Sequence, residues 1–299
     1  MTIGTAFHTR TAPLNRRLEW REWSGYHAAS LYAQHHDIEY NAVREGAGVI
    51  DVSPLYKYRV WGRDAMRFVD RVITRDATKL GVGQVYYTCW CDEHGKVVDD
   101  GTVARLDDAT YRWTAASPSL RWFEQNAAGL EVSIEETSEA EAALALQGPR
   151  SRDVLEAATE ESFGDLGYFR RRESKVGPVG IDVSRTGYTG DLGYELWVAA
   201  KDALELWDRL MEAGSPFGVR PVGLLALDVV RLEAGLILID VDYTSSKHAL
   251  IRQQAYSPFE INLGWTVSFK KGDFIGKPAL AAEAARGGPE RRLVGLELV

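Results

Sequence analysis

Apolar residues recur at every second position in some stretches of this chain and at every third or fourth in others. Alternation over Tyr56 to Trp61, Val85 to Trp90, Gly101 to Arg105 and Thr110 to Thr114 predicts short β-strands. Between the first two, Gly62-Arg63-Asp64 leads into Ala65, Met66, Val69, Val72 and Ile73, which form one apolar stripe of a helix. Another helix is predicted after Pro118-Ser119, with Leu120, Phe123 and Ala127 inward. At Ala142 the pattern changes. Ala142 to Gln147 reads as an apolar strand, and Gly148-Pro149 then opens a helix carrying Val154, Leu155 and Ala158. Gly180 to Arg185 and Tyr194 to Ala199 read as strands flanking the glycine-rich turn Gly187-Tyr188-Thr189-Gly190, and Leu204, Trp207, Leu210 and Met211 mark a further helix. The first 45 residues show little period beyond Ile38 to Arg44, a short helical stretch stopped by Gly46 and Gly48. The order strand, helix, strand, strand, helix predicts an α+β fold of ferredoxin-like character.

Composition changes this picture little. A chain of 299 residues with 45% hydrophobic and 26% charged residues is ordinary globular material, long enough for two domains. A net charge of -8 argues against nucleic acid or an anionic membrane as the main partner. No apolar run approaches the roughly 18 residues of a spanning helix, and the N-terminus lacks an apolar signal core. A cytoplasmic, soluble protein is expected. Cys89 and Cys91 are expected to be reduced, to point to opposite faces of their strand, and to form neither a disulfide nor a metal site. The segment Ala282 to Glu290, containing Arg286-Gly287-Gly288-Pro289, predicts a hinge, after which Leu293 to Val299 alternates like a single strand.

Two segments carry candidate chemistry. In Tyr87 to Asp100, Asp92 to Lys96 reads as a hairpin turn with Gly95 at positive φ, and the strand beyond it ends in the doublet Asp99-Asp100. Neighbours on a strand face opposite sides, so one carboxylate is expected in solvent and the other in a cavity, where it must be paired, hydrogen-bonded or neutralised. The plainer alternative is a solvated strand end. In Ser184 to Glu195, three glycines make a tight turn that brings backbone close to a ligand. The Gly-Lys-Ser/Thr ending of a phosphate loop is missing. Glu195 shares a face with Trp197, and a carboxylate beside an aromatic suits a flat heterocycle bearing amide and amine donors. An exposed glutamate on a hairpin is the alternative. Arg231 and Glu233 read as an ion pair at the core edge, and Trp20, Trp23 and Trp90 as candidate stacking surfaces.

Six collinear stretches resemble one family. They are GAGVIDVSP from Gly46, GKVVDDGTV from Gly95, ALQGPRS from Ala145, SRTGYTGDLGYEL from Ser184, RPVGLLALDVVRLEAG from Arg220, and SPFEINLGWTV with DFIGKPAL. In order and spacing they resemble the aminomethyltransferase (glycine-cleavage T-protein) superfamily, which also includes folate-dependent demethylases and the folate domains of dimethylglycine and sarcosine oxidases. The resemblance implies a T-protein-like cloverleaf, with ferredoxin-like and antiparallel β-sheet subdomains around a central folate funnel and the C-terminal barrel domain missing or truncated. Residues 1–54 and 142–240 would form the ferredoxin-like subdomain. Residues 55–141 and 241–285 would form the antiparallel sheet with the folate pocket, and 286–299 the start of the barrel.

Tetrahydrofolate is the implied cofactor. The resemblance makes Asp100 the catalytic carboxylate beside the reacting folate nitrogen, Glu195 a hydrogen-bonding partner of the pterin, and Tyr87 and Tyr188 residues lining its pocket. Thr114 stands where an asparagine is usual. Leu227 replaces a family arginine, and an insertion within residues 236–256 carries Tyr243 and His248 beside the expected substrate mouth. With Trp23, these two are expected on the substrate side. Such departures point to transfer of a methyl or methylene group from a small methylated donor to N5 of tetrahydrofolate, as in a demethylase or methyltransferase. The alternatives are the aminomethyltransferase of the glycine cleavage system, with a lipoyl carrier protein as partner, and a non-catalytic folate-binding regulator. The Lys-Gly-Cys-Tyr-x-Gly-Gln stretch of such regulators does not occur here.

Overall fold

Thirteen strands and eight α-helices follow one another along residues 2–296, the part of the chain that the computed structural model describes. In chain order they are α1 (His8–Thr11), β1 (Trp20–Trp23), β2 (Tyr26–Ala29), α2 (His36–Glu45), β3 (Gly48–Asp51), β4 (Tyr56–Trp61), α3 (Ala65–Val72), β5 (Val85–Cys91), β6 (Val97–Arg105) and β7 (Thr110–Ala115). There follow α4 (Leu120–Asn126), β8 (Ser133–Glu136), β9 (Glu141–Gln147), α5 (Ser151–Thr159), β10 (Arg171–Val176), β11 (Val179–Ser184), β12 (Gly193–Ala199), α6 (Ala203–Gly214), β13 (Arg220–Pro221), α7 (Leu224–Glu233) and α8 (Lys277–Ala285). The chain divides into two compact units. One comprises Met1–Leu55 with Thr137–Leu236, the other Tyr56–Glu136 with Ile237–Val299.

The first unit is built on a six-stranded sheet in the order β10-β11-β12-β9-β3-β13, antiparallel except where β13 runs parallel to β3. Along β9, Ala142, Leu144 and Leu146 pack with Val154 and Leu155 of α5 and Leu206, Trp207 and Leu210 of α6. Ala143 and Ala145 face the opposite way, toward Val43 of α2 and Ala226, Leu227 and Val230 of α7. Both faces of β9 are covered, which is why its sequence is apolar at nearly every position instead of alternating. The edge strand β10 reads RRESKV, and its charges hide it from a hydrophobicity pattern while guarding the sheet edge. Glu39, 1% exposed, accepts the backbone N–H groups of Tyr32 and Ala33 at 2.6 Å and of Gly223 at 2.7 Å, which ties α2 to the start of α7. The expected Arg231–Glu233 pair does not form. Residues two apart on a helix point to different sides; Glu233 pairs with Arg44 at 2.7 Å, and Arg231 donates to the Leu236 carbonyl.

The second unit is a five-stranded antiparallel sheet in the order β5-β6-β7-β4-β8. One face carries Tyr58, Trp90 and Trp113 against Phe68, Val69 and Val72 of α3 and Phe123 of α4. Trp90 is fully buried, its ring edge-on to Trp113 at 5.2 Å, so it is core and offers no stacking surface. Cys89, Cys91 and Val97 face the other way, packing with Ile239, Tyr243, Ile261, Leu263, Phe274 and Leu280. The two cysteines therefore share a face, contrary to expectation, because the two-residue period of a strand returns i and i+2 to the same side. Both are buried and unbridged. The turn at Asp92 to Lys96 forms as predicted, with Gly95 at φ 71° and the Asp92 carboxylate accepting the N–H groups of His94 and Lys96.

Beyond Ile237 the chain is mostly irregular, yet it is pinned to β6. Ser245 Oγ donates to the Val98 carbonyl at 2.6 Å, Ser246 N to the Val97 carbonyl at 2.8 Å, and Val97 N to the Tyr256 carbonyl at 2.7 Å. Residues 293–296 form no strand, although Leu293 to Val299 reads as one; 297–299 lie outside the described residues. Among the described residues, no helix is long and apolar enough to cross a membrane, and no group of three or more His, Cys, Asp or Glu could hold a metal ion.

Lys271 fastens this irregular chain to α3. Its buried ammonium donates to the carbonyls of Asp70, of Ile73 at 2.8 Å and of Arg75 at 2.9 Å, and pairs with the Asp70 carboxylate at 3.1 Å. Lys271→Met leaves these acceptors uncompensated. Urea unfolding is expected to show a loss of about 3–5 kcal/mol; an unchanged midpoint would mean that water satisfies them equally well.

Candidate active site

The antiparallel register of β5 and β6 sets Cys89 opposite Asp100 and Trp90 opposite Asp99. Asp99 is fully buried. Its Oδ1 accepts the Asp100 N–H at 2.8 Å and its Oδ2 the Ser117 N–H at 2.9 Å. Burial, and then the neighbouring Asp100 charge, push its pKa well above the carboxylate range. Asp99 turns inward, while Asp100, its neighbour on β6, is partly exposed on the other face.

Asp100 lies between two phenols. Tyr87, on β5, donates its hydroxyl to Asp100 Oδ2 at 2.7 Å, and Tyr243, from the irregular chain after α7, donates to Oδ1. Burial raises the Asp100 pKa, and the two hydrogen bonds pull it back toward the charged form. Tyr243 is 3% exposed, and its own pKa is driven far up by burial and by the Asp100 charge, so it serves as a hydrogen-bond donor and not as a phenolate. Among the described residues no Lys, Arg or His forms an ion pair with Asp100. The natural complement of a partly buried carboxylate without a cation is an N–H donor or a positive charge brought by a ligand.

The surroundings of Tyr87 hold residues that sequence reading missed. The Arg75 guanidinium lies 3.7 Å from the centre of the Tyr86 ring and 5.4 Å from that of Trp265, and its Nη1 donates to the Tyr87 carbonyl at 3.2 Å. Trp265 is 62% exposed, with its ring 6.2 Å from that of Tyr87. Arg75 has no carboxylate partner among the described residues, and burial lowers its pKa. The only signal in the chain was Trp265 itself, inside the SPFEINLGWTV stretch.

The other expected residues of this unit sit apart from the Asp100 carboxylate in their bonding. Thr114, on β7, is 5% exposed; its Oγ1 lies 2.7 Å from Thr102 Oγ1 and accepts the Thr102 N–H at 2.9 Å. It abuts Gly101, where an added Cβ would stand 2.0 Å from the Thr114 carbonyl oxygen. Thr114 thus braces β6 against β7 one residue beyond Asp100. His248 is half-exposed and bonded through Nδ1 to Asp240 at 2.7 Å. Of the two candidates after α7, Tyr243 reaches Asp100 and His248 is held by Asp240.

In the first unit, Glu195 stands opposite Ser184 across β11 and β12. Thr186 Oγ1 donates to Glu195 Oε2 at 2.6 Å. Tyr188, in the glycine turn, and Trp23 pack against the cluster that contains Trp197 and Leu227. Leu227 is buried in that cluster.

A family model described as the GCVT N-terminal domain matches residues 6–271. The chain is 38% identical over 312 residues to a trimethylamine-oxide aldolase of Ruegeria pomeroyi, covering all of this chain and 38% of that protein. It is 36% identical over 266 residues to an aminomethyltransferase of Caldanaerobacter subterraneus subsp. tengcongensis, covering 87% of this chain and 68% of the relative. The crystal structure of glycine cleavage system aminomethyltransferase T from Bartonella henselae superposes with a TM-score of 0.84 at 25% identity, over 96% of this chain and 76% of that one. The chain belongs to the GCVT N-terminal domain family, and with it to the aminomethyltransferase (glycine-cleavage T-protein) superfamily.

Proposed function

We propose that the chain is a tetrahydrofolate-dependent one-carbon transferase that moves a methyl or methylene group from a small methylated donor to N5 of the folate. One observation carries this reading: Asp100 is a partly buried carboxylate gripped by Tyr87 and Tyr243, with no Lys, Arg or His paired to it among the described residues. When bound, tetrahydrofolate supplies N5 as the nucleophile for the one-carbon unit. Asp100 orients that nitrogen, accepts its proton at Oδ1 or Oδ2, and stabilises positive charge that develops next to it. Tyr87 and Tyr243 hold both carboxylate oxygens in place and favour the charged form. Glu195 accepts from the amide and amine donors of the pterin, and Tyr188 lines the same face. The half-buried Arg75, stacked on Tyr86 and Trp265, meets the carboxylates of the folate's glutamate tail.

The donor class follows from what the chain lacks. Leu227 puts an aliphatic group where the resemblance places an arginine, which suits a donor without an anionic group. A methylated amine fits, and the relative named trimethylamine-oxide aldolase supports that class. The aminomethyltransferase relative favours a second reading, transfer from an aminomethyl-lipoyl carrier with release of ammonia.

The purified protein is to be mixed with tetrahydrofolate and either methylated amines, with 5-methyl-tetrahydrofolate as the product assayed, or methylated amine N-oxides, whose N–O bond supplies the two-electron oxidation, with 5,10-methylene-tetrahydrofolate as the product assayed. Product is expected, and Asp100→Asn is expected to lower kcat by about 10²–10⁴-fold while folate still binds. Full activity in that variant would remove Asp100 from the chemistry, and ammonia release with lipoyl carrier protein alone would favour the second reading.

The pH profile provides a second test. Asp100 acts as a carboxylate and its pKa is raised, so activity is lost as pH falls through a value above the ordinary range near about 3.9. Tyr243→Phe removes a bond that lowers this pKa, and the acid limb is expected to move to still higher pH. Coincident limbs in the two proteins would contradict the assignment.

Arg75→Met is expected to weaken tetrahydrofolate binding by about tenfold, measured by calorimetry. A reduced pterin lacking the glutamate should bind both proteins alike. An equal loss for both ligands would place Arg75 away from the tail.

A further inference from the structure

Gln147 ends β9 and is fully buried. Its amide occupies the inside of the glycine turn. Nε2 donates to the Thr186 carbonyl at 3.3 Å and to the Tyr194 carbonyl at 3.4 Å, and Oε1 accepts the Thr189 hydroxyl at 3.0 Å. An added Cβ would stand 2.0 Å from this Oε1 at Gly187 and 2.1 Å at Gly193. These two glycines, neither at positive φ, leave the room that one buried amide occupies. The stretches ALQGPRS and SRTGYTGDLGYEL are two halves of a single device.

The device has a direction. The Trp197 indole N–H can only donate, and it reaches Ser184 Oγ at 3.4 Å. Ser184 Oγ lies 2.8 Å from Thr186 Oγ1, and Thr186 Oγ1 lies 2.6 Å from Glu195 Oε2. Each hydroxyl has one proton. Thr186 gives its proton to Glu195, so Ser184 gives its own to Thr186 and accepts from Trp197. The chain of bonds runs one way and ends on the Glu195 carboxylate, whose Oε2 is the acceptor.

We infer that Thr186 and Gln147 are positioning residues for Glu195: Gln147 sets the turn, and Thr186 delivers a directed hydrogen bond that presents the carboxylate to a ligand offering N–H donors. The inference rests on the reading of Glu195 as a pterin contact. An acceptor locked in this way selects heterocycles with an amino group beside a ring N–H and discriminates against analogues that present an acceptor there.

The test is a double-mutant cycle on tetrahydrofolate affinity, with melting temperatures to confirm that each variant folds. Thr186→Val is expected to weaken binding by about tenfold, the worth of one charge-assisted hydrogen bond, and Thr186→Ser to restore it. Combined with Glu195→Gln, Thr186→Val should add no further loss. Gln147→Met should likewise weaken binding only where Glu195 is retained. If Glu195→Gln weakens binding but Thr186→Val does not, or if Thr186→Val costs the same with and without Glu195, the positioning role is overturned and the pterin reading survives. If Glu195→Gln leaves affinity unchanged, both fall.

Discussion

A partly buried carboxylate, Asp100, with no ion-pair partner among the described residues is the constraint around which the second unit is organised. Burial favours the neutral form of Asp100, and the two tyrosine hydroxyls oppose burial by donating one hydrogen bond to each oxygen. The two hydrogen bonds oppose burial without fully compensating it, and the pKa stays raised. A residue in that state gains most from a ligand that supplies what the protein withholds. Attraction to an N–H or to developing positive charge is worth far more in such a site than in water.

Much of the second unit serves to keep that carboxylate still. Asp99 ties the end of β6 to the Ser117 backbone, Thr114 braces β6 through Thr102, and Gly101 permits the close approach of β7. The irregular chain after α7 would be a loose loop but for Ser245 and Ser246, which fasten it to the carbonyls of Val98 and Val97, and Tyr243 is set by that attachment. The first unit solves the same problem differently: a buried amide inside a turn and a one-way series of hydroxyls define the orientation of Glu195. In both, neutral hydroxyl donors reach the carboxylate: Tyr87 and Tyr243 at Asp100, Thr186 at Glu195.

The sequence was most legible where one face of an element meets solvent and the other the core. The alternation of Tyr56 to Trp61 marks β4 to the residue, although Lys57 on its polar side is buried. It was least legible at sheet edges, where β8 and β10 carry charges, and at Ile237 to Ala255, where side chain-to-backbone bonds and not periodicity shape the chain. Asp100 and Tyr87 were singled out through the resemblance, and they touch. The partnership of Tyr243 with Asp100, the inward turn of Asp99 and the Arg75–Trp265 stack join residues distant in sequence, and no local pattern encodes such contacts. The sharing of a face by Cys89 and Cys91 was open to reading, since strand periodicity alone dictates it.

A crystal structure of the protein with tetrahydrofolate bound tests the account most directly. It should show N5 within hydrogen-bond distance of the Asp100 carboxylate, with Tyr87 and Tyr243 still donating to the same two oxygens. A pterin lodged elsewhere, with Asp100 bonded only to its tyrosines, would contradict the claim that this carboxylate exists to meet the reacting nitrogen.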